Sequence, residues 1–367
     1  MSEYHRPDVR ANFRRVSATE SFTEQTAAQL GTIVFGQEDA CRAVARRLAI
    51  IRAQFTDPKR PLAVIFELGP TGVGKTEMAR AAADLLFDDP FSPRLKIINC
   101  AELSEPHDTK RFTGSPPSYV GSEEEPLIPH DWLHEGRTQE AYQDKAIIVF
   151  DEIEKADPAV HRMLFGIMEE GTMMSRHGKI GMEPLDFTRS IIFLTSNVGG
   201  ESIQRRQMGY RRMDTTERAK ESSAIARTEL QRMFGDAFVG RLDEVLVFRA
   251  LSAKDYVRIF DKFMTEINIQ IQDAMKDPGR VVTTKELKEQ LLRMIDGQFG
   301  ARELRKKMQT DILQGAADLF IGLDLSGRVV VADYDEDGKI GFYLSDEEVA
   351  YEPAGENRIA LYVAQEA

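Results

Sequence analysis

Gly69-Pro70-Thr71-Gly72-Val73-Gly74-Lys75-Thr76 stands between an apolar run, Leu62 to Leu68, and a segment of helical periodicity that extends to Phe87. It reads G-x-x-x-x-G-K-T, the spacing of a nucleotide-phosphate loop. Glycines let the backbone curl until successive N–H groups and the N-terminus of the following helix face one anion. Lys75 is expected to reach the β and γ phosphates, and the Thr76 hydroxyl to ligate magnesium. The competing reading is an accidental glycine-rich turn, and the strand-then-helix flanks weigh against it. The expectation is a site for ATP and Mg2+.

The chain has 367 residues, of which 42% are hydrophobic and 29% charged, ordinary values for a globular protein with room for two cores. Sixty acidic against 48 basic residues leave a formal charge of −12, which disfavours an extended phosphate-backbone footprint and makes nucleic acid an unlikely partner. Cys41 and Cys100 are too few for a disulfide framework or a four-cysteine zinc site, as suits a reducing cytoplasm. No charged start leads into an apolar stretch and no apolar run approaches ~20 residues, so the expectation is a cytoplasmic protein without a membrane span.

Four further stretches fill in the organisation. Residues 1 to 20 read as a polar arm. Helical periodicity begins at Ser21, is interrupted at Val34-Phe35-Gly36-Gln37, and resumes with Ala40, Val44, Leu48 and Ile51 on one face. Leu95 to Asn99, Ala146 to Phe150 and Ser190 to Thr195 are short, apolar and β-branched, the pattern of buried strands in a parallel α/β sheet. Beyond Phe248 the composition changes to a long amphipathic segment (Tyr256, Ile259, Phe260, Phe263, Ile267, Ile271), a shorter helix and a hairpin from Gly327 to Leu344. The expected domains are an α/β nucleotide-binding domain over 21–248 and a small, mostly helical domain over 249–344, followed by an acidic tail over 345–367.

A phosphate loop needs a second carboxylate element, and Asp151-Glu152 supplies it at the C-terminal end of a predicted strand, the edge at which open α/β sheets bind ligands. Asp151 is expected to hold magnesium and Glu152 to orient the attacking water. The alternative is a pair of surface acids. Asn197, after Thr195-Ser196, is placed to hold the same water, or else merely turns the chain.

Taken together, Val34-Phe35-Gly36-Gln37, Gly69 to Thr76, Asp151 to Ala156, Thr195-Ser196-Asn197 and Gly300-Ala301-Arg302 resemble the AAA+ ATPases, and more narrowly the second ATPase module of the ClpA/ClpB-type protein unfoldases. The resemblance covers about residues 20 to 344. It implies that Val34 and Phe35 line an adenine pocket, that Asn197 is a first sensor, and that Arg302, opening a helix of the lid domain, is a second sensor. It also implies that Arg241, in Phe238-Val239-Gly240-Arg241, is an arginine finger reaching a neighbour's ATP in a homo-oligomeric ring, usually of six. For either arginine the alternative is a surface salt bridge. Gly114-Ser115-Pro116-Pro117-Ser118-Tyr119-Val120-Gly121 is similar to the family's channel loop, which implies that Tyr119 and Val120 grip a polypeptide substrate; the alternative is a tyrosine packed under a proline-rich turn. A second channel loop is expected between Gly171 and Asp186, around Arg176-His177-Gly178-Lys179.

Met208-Gly209-Tyr210 is similar to a tripeptide with which some relatives dock onto a ring peptidase, although it could equally fold back onto its own domain. The N-terminal adaptor domain and first ATPase module of the ClpA/ClpB proteins do not fit into the ~20 residues before this core, so substrate selection is expected to rest on the arm, the acidic tail or a separate adaptor protein. Two readings compete with an ATP-driven protein unfoldase: a nucleic-acid-associated loader on the same fold, and a nucleotide-dependent scaffold switch. Two weaker signals are set aside. Asp333 to Gly338 opens like a calcium loop but has Leu344 where a bidentate glutamate belongs, and His130 and His134 have no further zinc ligands beside them.

Overall fold

The computed structural model describes residues 21–114, 126–134, 145–177, 181–198, 215–274, 279–295, 299–322, 328–335 and 339–344. The N-terminal arm, Tyr119 and Val120, Gly178 and Lys179, Met208 to Tyr210 and the acidic tail lie outside these residues.

The chain opens with α1 (Phe22–Ile33), started by the Ser21 hydroxyl, which accepts from the Glu24 N–H at 3.2 Å. Next come α2 (Glu38–Arg52), β1 (Ala63–Leu68), α3 (Lys75–Phe87), β2 (Leu95–Asn99), α4 (Lys110–Thr113), α5 (His130–His134) and β3 (Ala146–Asp151). After these, α6 (Pro158–Glu170) has a capping Asp157, proline at its first position and a left-handed Gly171 at its end. The hairpin of β4 (Thr172–His177) and β5 (Gly181–Asp186), then β6 (Ser190–Ser196), α7 (Thr215–Phe234), α8 (Asp236–Val239) and β7 (Glu244–Val247) complete this part of the chain.

Five of these strands form one parallel sheet in the order β2-β3-β6-β1-β7. Both faces are covered, which is why its central strands read as continuous apolar runs rather than alternating ones. Ala63, Ile65, Ile147, Val149, Ile191 and Phe193 face α2 and α3. Their neighbours Val64, Phe66, Ile148, Phe150, Ile192 and Leu194 face α6 and α7. Each fully buried Val, Ile, Leu or Phe among them contributes roughly 1.5–3 kcal/mol. The edge strand β7 was not expected from the sequence. It has only four residues, three of them partly exposed, and so shows little of a buried strand's pattern.

The remaining elements are α9 (Ala253–Ala274), β8 (Arg280–Thr283), α10 (Lys285–Arg293), α11 (Ala301–Met308), a π-helical turn over Gln309–Leu313, α12 (Gln314–Gly322), β9 (Val329–Tyr334) and β10 (Ile340–Leu344). They enclose a separate core built on Phe260, Leu287, Leu304, Ile312 and Val330. The hairpin is present as β9 and β10, and β8 adds to it in parallel as a third strand. Asn268 of α9 ties β8 to this layer. Its amide donates to the Val281 carbonyl at 2.9 Å and accepts from the Val281 N–H at 2.7 Å, and both residues are buried.

Gln37 fastens the two parts of the chain together. Its buried amide donates to the carbonyls of Arg249 and Val73 and accepts from the Arg249 N–H at 3.0 Å, joining the turn before α2, the phosphate loop and the start of the small domain. Asn268→Ala is expected to leave both polar groups of Val281 without partners, lowering stability by about 2–3 kcal/mol. A urea titration followed by circular dichroism checks this, with Leu287→Val, a core truncation, for scale.

Candidate nucleotide site

β1 lies in the middle of the sheet although it comes first in the chain. The connection leaving β1 goes to the far edge at β2, whereas the one leaving β6 passes β1 to reach β7, so the strand order reverses between β1 and β6. A crevice at the C-terminal ends of two such strands is where open α/β sheets take ligands. The phosphate loop leaves β1 at that point, and Asn197 follows β6 directly beside it.

The loop turns at Gly72 and Gly74, whose φ angles of 74° and 105° favour glycine, and delivers the chain into the N-terminus of α3. Lys75 is 7% exposed, and its ammonium donates to the carbonyls of Gly69 and Pro70 and to Asn197 Oδ1, each at 2.8 Å. Burial pushes its pKa down to about 8, against the opposing pull of Glu67. The Thr76 hydroxyl donates to Asp151 Oδ1 at 3.1 Å, and Thr195 Oγ1 donates to the same oxygen at 2.6 Å.

Glu152 has a left-handed backbone with φ of 58°, a strain of about 1–3 kcal/mol for a residue with a side chain. Its N–H donates to Thr195 Oγ1, and its carboxylate accepts from Lys155 at 2.6 Å and from Asn197 Nδ2 at 3.1 Å. These donors, Lys155 above all, hold its pKa below the usual range, so it is ionised at neutral pH. One amide, Asn197, thus bridges the loop lysine and Glu152, and its N–H is held in turn by Glu154 at 3.0 Å.

A cavity of about 410 Å³ lies over these groups. Val34 and Phe35 line one side, residues 71–76 the floor, Asp151, Glu152 and Asn197 the far end, and Arg302 of α11 the lid side. Gly69 and Pro70 are not on its wall; they act through the carbonyls that hold Lys75. Arg241 is away from it: its guanidinium pairs with Glu169 and lies 5.9 Å from the ring centre of Phe165. The loop and the lid approach backbone to backbone. The Ala301 N–H donates to the Gly72 carbonyl at 2.9 Å, and a Cβ on Gly72 would stand 2.1 Å from the Phe299 carbonyl oxygen.

Thr195, Lys262 and Arg305 also line the cavity; Thr195 was read only as part of the stretch leading to Asn197, with no role of its own, and Lys262 and Arg305 belong to no motif recognised in the sequence. Glu67 was missed for a different reason, because it sits inside the apolar run that identifies β1. It pairs in register with Thr195 on one neighbouring strand and Leu246 on the other, facing α3 beneath the phosphate loop. It is fully buried and neither carboxyl oxygen has a hydrogen-bond partner. All three Lys75 donors are committed elsewhere, so burial raises the Glu67 pKa well above its ordinary 4.5 despite the nearby ammonium. An acid in a run of seven apolar positions is the one signal that could have found it.

The comparisons with known proteins agree with this geometry. Residues 60–245 match the family model described as "AAA domain (Cdc48 subfamily)". The chain belongs to this AAA family. It is similar to the chaperone protein ClpB of Aquifex aeolicus (strain VF5), 32% identical over 86% of this chain and 30% of that protein. It is also similar to the negative regulator of genetic competence ClpC/MecB of Bacillus subtilis (strain 168), 34% identical over 83% of this chain and 36% of that protein. Among solved structures, a closed-state cryo-EM reconstruction of Hsp104 with ATPγS and FITC casein superposes with a TM-score of 0.71 and 25% identity, over 87% of this chain and 51% of that one. The AAA+ fold and the likeness to a Clp-type module are therefore shown. The chain spans about a third of the length of these two curated relatives.

For Glu67 the folded-state pKa lies above the unfolded one, so the folded protein binds more protons between the two values and loses stability as pH rises through that window. Glu67→Gln stays neutral throughout. It is expected to melt with the wild type near pH 5 and progressively above it toward pH 8.5. Thermal unfolding across that range checks this, and a gap that does not change with pH would show that Glu67 is not protonated in the folded protein.

Proposed function

We propose that this chain is the ATP-hydrolysing module of a cytoplasmic, ring-forming protein unfoldase that pulls polypeptide through a central channel. The observation that carries the reading is the Lys75–Asn197–Glu152 chain of hydrogen bonds on the floor of a cavity that Arg302 overlooks. A site that only holds nucleotide as a switch has no need of an ionised carboxylate fixed beside the phosphate loop.

The free N–H groups at the N-terminus of α3 and the Lys75 ammonium receive the phosphates, and Val34 and Phe35 hold the adenine. Thr76 and Asp151 present adjacent hard oxygens, a donor set that suits magnesium, which neutralises phosphate charge when bound. Glu152, oriented by Asn197, polarises the attacking water, and Arg302 senses the γ phosphate from the lid. Arg241 acts on a neighbour's ATP. This is supported by its distance from its own chain's cavity and by its half-exposed side chain at the surface.

Tyr119 and Val120 grip the substrate; an aromatic ring offers large contact area at low entropy cost and tolerates many partner sequences. Support for a polypeptide substrate and a homo-hexameric ring comes from the likeness to ClpB and to the Hsp104 reconstruction with casein. Residues 21–248 and 249–344 would be the large and lid domains, with the arm and the acidic tail as places for an adaptor. Met208-Gly209-Tyr210 is the candidate contact for a ring peptidase. The cytoplasmic assignment is supported by two buried free cysteines.

Glu152→Gln is expected to bind ATP and to lose at least about 100-fold in turnover, the usual worth of such a group. Arg241→Ala is expected to be inactive alone. Mixed rings of the two variants should regain activity at interfaces that pair an intact Arg241 with an intact Glu152. A steady-state phosphate-release assay on each variant and on the mixture reads both, and mixtures that stay inactive would exclude action in trans.

Tyr119→Ala is expected to keep ATP turnover within about twofold while unfolding of a tagged fluorescent protein falls at least about tenfold. An equal fall in both rates would mean that Tyr119 packs rather than grips.

A further inference from the structure

The lid touches the large domain on both sides of the cavity, and the two contacts differ in kind. On one side is the backbone clasp between Gly72 and Ala301. On the other, the Lys262 ammonium of α9 lies 2.5 Å from the Glu77 carboxylate of α3 and 3.3 Å from the Ile33 carbonyl. Glu77 follows Thr76 and Ile33 precedes Val34, so this ammonium bridges the segment that carries the proposed metal ligand and the one that lines the adenine side. Lys262 is only 16% exposed and Glu77 34%, and both line the cavity. The next acid along the lid helix, Glu266, is 4.0 Å from Lys262 but is paired with Arg305 at 2.9 Å, and Arg305 is stacked on Phe263. Glu77 is therefore the acid on which Lys262 is seated.

We propose that Lys262 and Glu77 are positioning residues that latch the lid over the nucleotide, so that the affinity for ATP depends on their mutual attraction and not on a contact of Lys262 with the nucleotide. The inference rests on the nucleotide reading given above. A binding-competent state populated only in part weakens apparent affinity by that fraction, so loosening the lid raises the dissociation constant. Turnover in the loaded state, which depends on Glu152 and Asn197 at the other end of the cavity, changes little.

The two possible roles of Lys262 predict opposite outcomes for Glu77. If the pair is a latch, removing either partner loosens the lid. If Lys262 instead serves the phosphates directly, Glu77→Gln removes a competing acid and tightens binding. The test is titration of a fluorescent ATP analogue into the full chain at low ionic strength, where such partly exposed pairs are least screened. The variants are Lys262→Met, Glu77→Gln, the double neutral variant, and the charge swap Lys262→Glu with Glu77→Lys, with Lys75→Ala as the control for loss of the site.

The expected result is a dissociation constant raised about fivefold in each single variant, no further rise in the double neutral variant, and recovery to within about twofold in the charge swap. In turnover assays KM should rise by the same factor, with kcat within about twofold. A merely structural lysine would not be rescued by exchanging the charges. Unchanged affinity in Lys262→Met, tighter binding in Glu77→Gln, or a charge swap no better than the weaker single variant would each overturn the latch. If the wild type binds no better than Lys75→Ala, the nucleotide reading itself fails and the latch with it, an outcome distinct from the other three.

Discussion

The ammonium of Lys75, a residue only 7% exposed, has three protons, and they go to the carbonyls of Gly69 and Pro70 and to the amide oxygen of Asn197. Two of these acceptors belong to the loop that Lys75 itself closes, and the third to the end of a different strand. A buried cation needs such partners, because leaving it unpaired costs several kcal/mol. The requirement brings the ends of β1 and β6 together at the point where the strand order reverses. Asn197 can then turn its other face to Glu152, so one amide fixes the spacing between the phosphate end of the cavity and the carboxylate.

Glu67, beneath the loop, occupies a position whose neighbours along the strand are apolar, and burial raises its pKa although the nearby ammonium pulls the other way. The same field reaches Lys75, where burial outweighs the attraction and the pKa settles at about 8. The floor of the cavity is thus a set of groups whose charges depend on one another.

The lid completes the site by different means. A glycine-to-glycine approach sets the distance between the phosphate loop and α11, since any Cβ on Gly72 or Gly300 would strike backbone. Gln37 fixes the backbone at Arg249, and Asp255 holds Arg249 and the start of α9. Arg302 is carried to the cavity by the Gly72–Gly300 and Gln37–Arg249 contacts, each between residues more than two hundred positions apart. Its own helix decides only that it lies at the first turn.

Much of the architecture was legible in the chain because it is local. The phosphate loop, the buried runs of β1, β3 and β6 and the amphipathic period of α9 are properties of short windows, where backbone sterics and burial leave few choices. Lys75, Thr76, Asp151, Glu152 and Asn197, which the structure brings together, were picked out from the same windows by residue type and spacing. Other features had no local signal. β7 and β8 are four residues each, and they are strands only because a distant strand offers its edge. Glu67 reads as an interruption until the sheet shows what lies above it. The assignment of Asn197 to both Lys75 and Glu152, the pairing of Lys262 with Glu77 and the distance of Arg241 from the cavity are set by packing between remote segments. Residue type and spacing are written along the chain, but a side chain's charge state and partners depend on what surrounds it. Only the folded structure decides that.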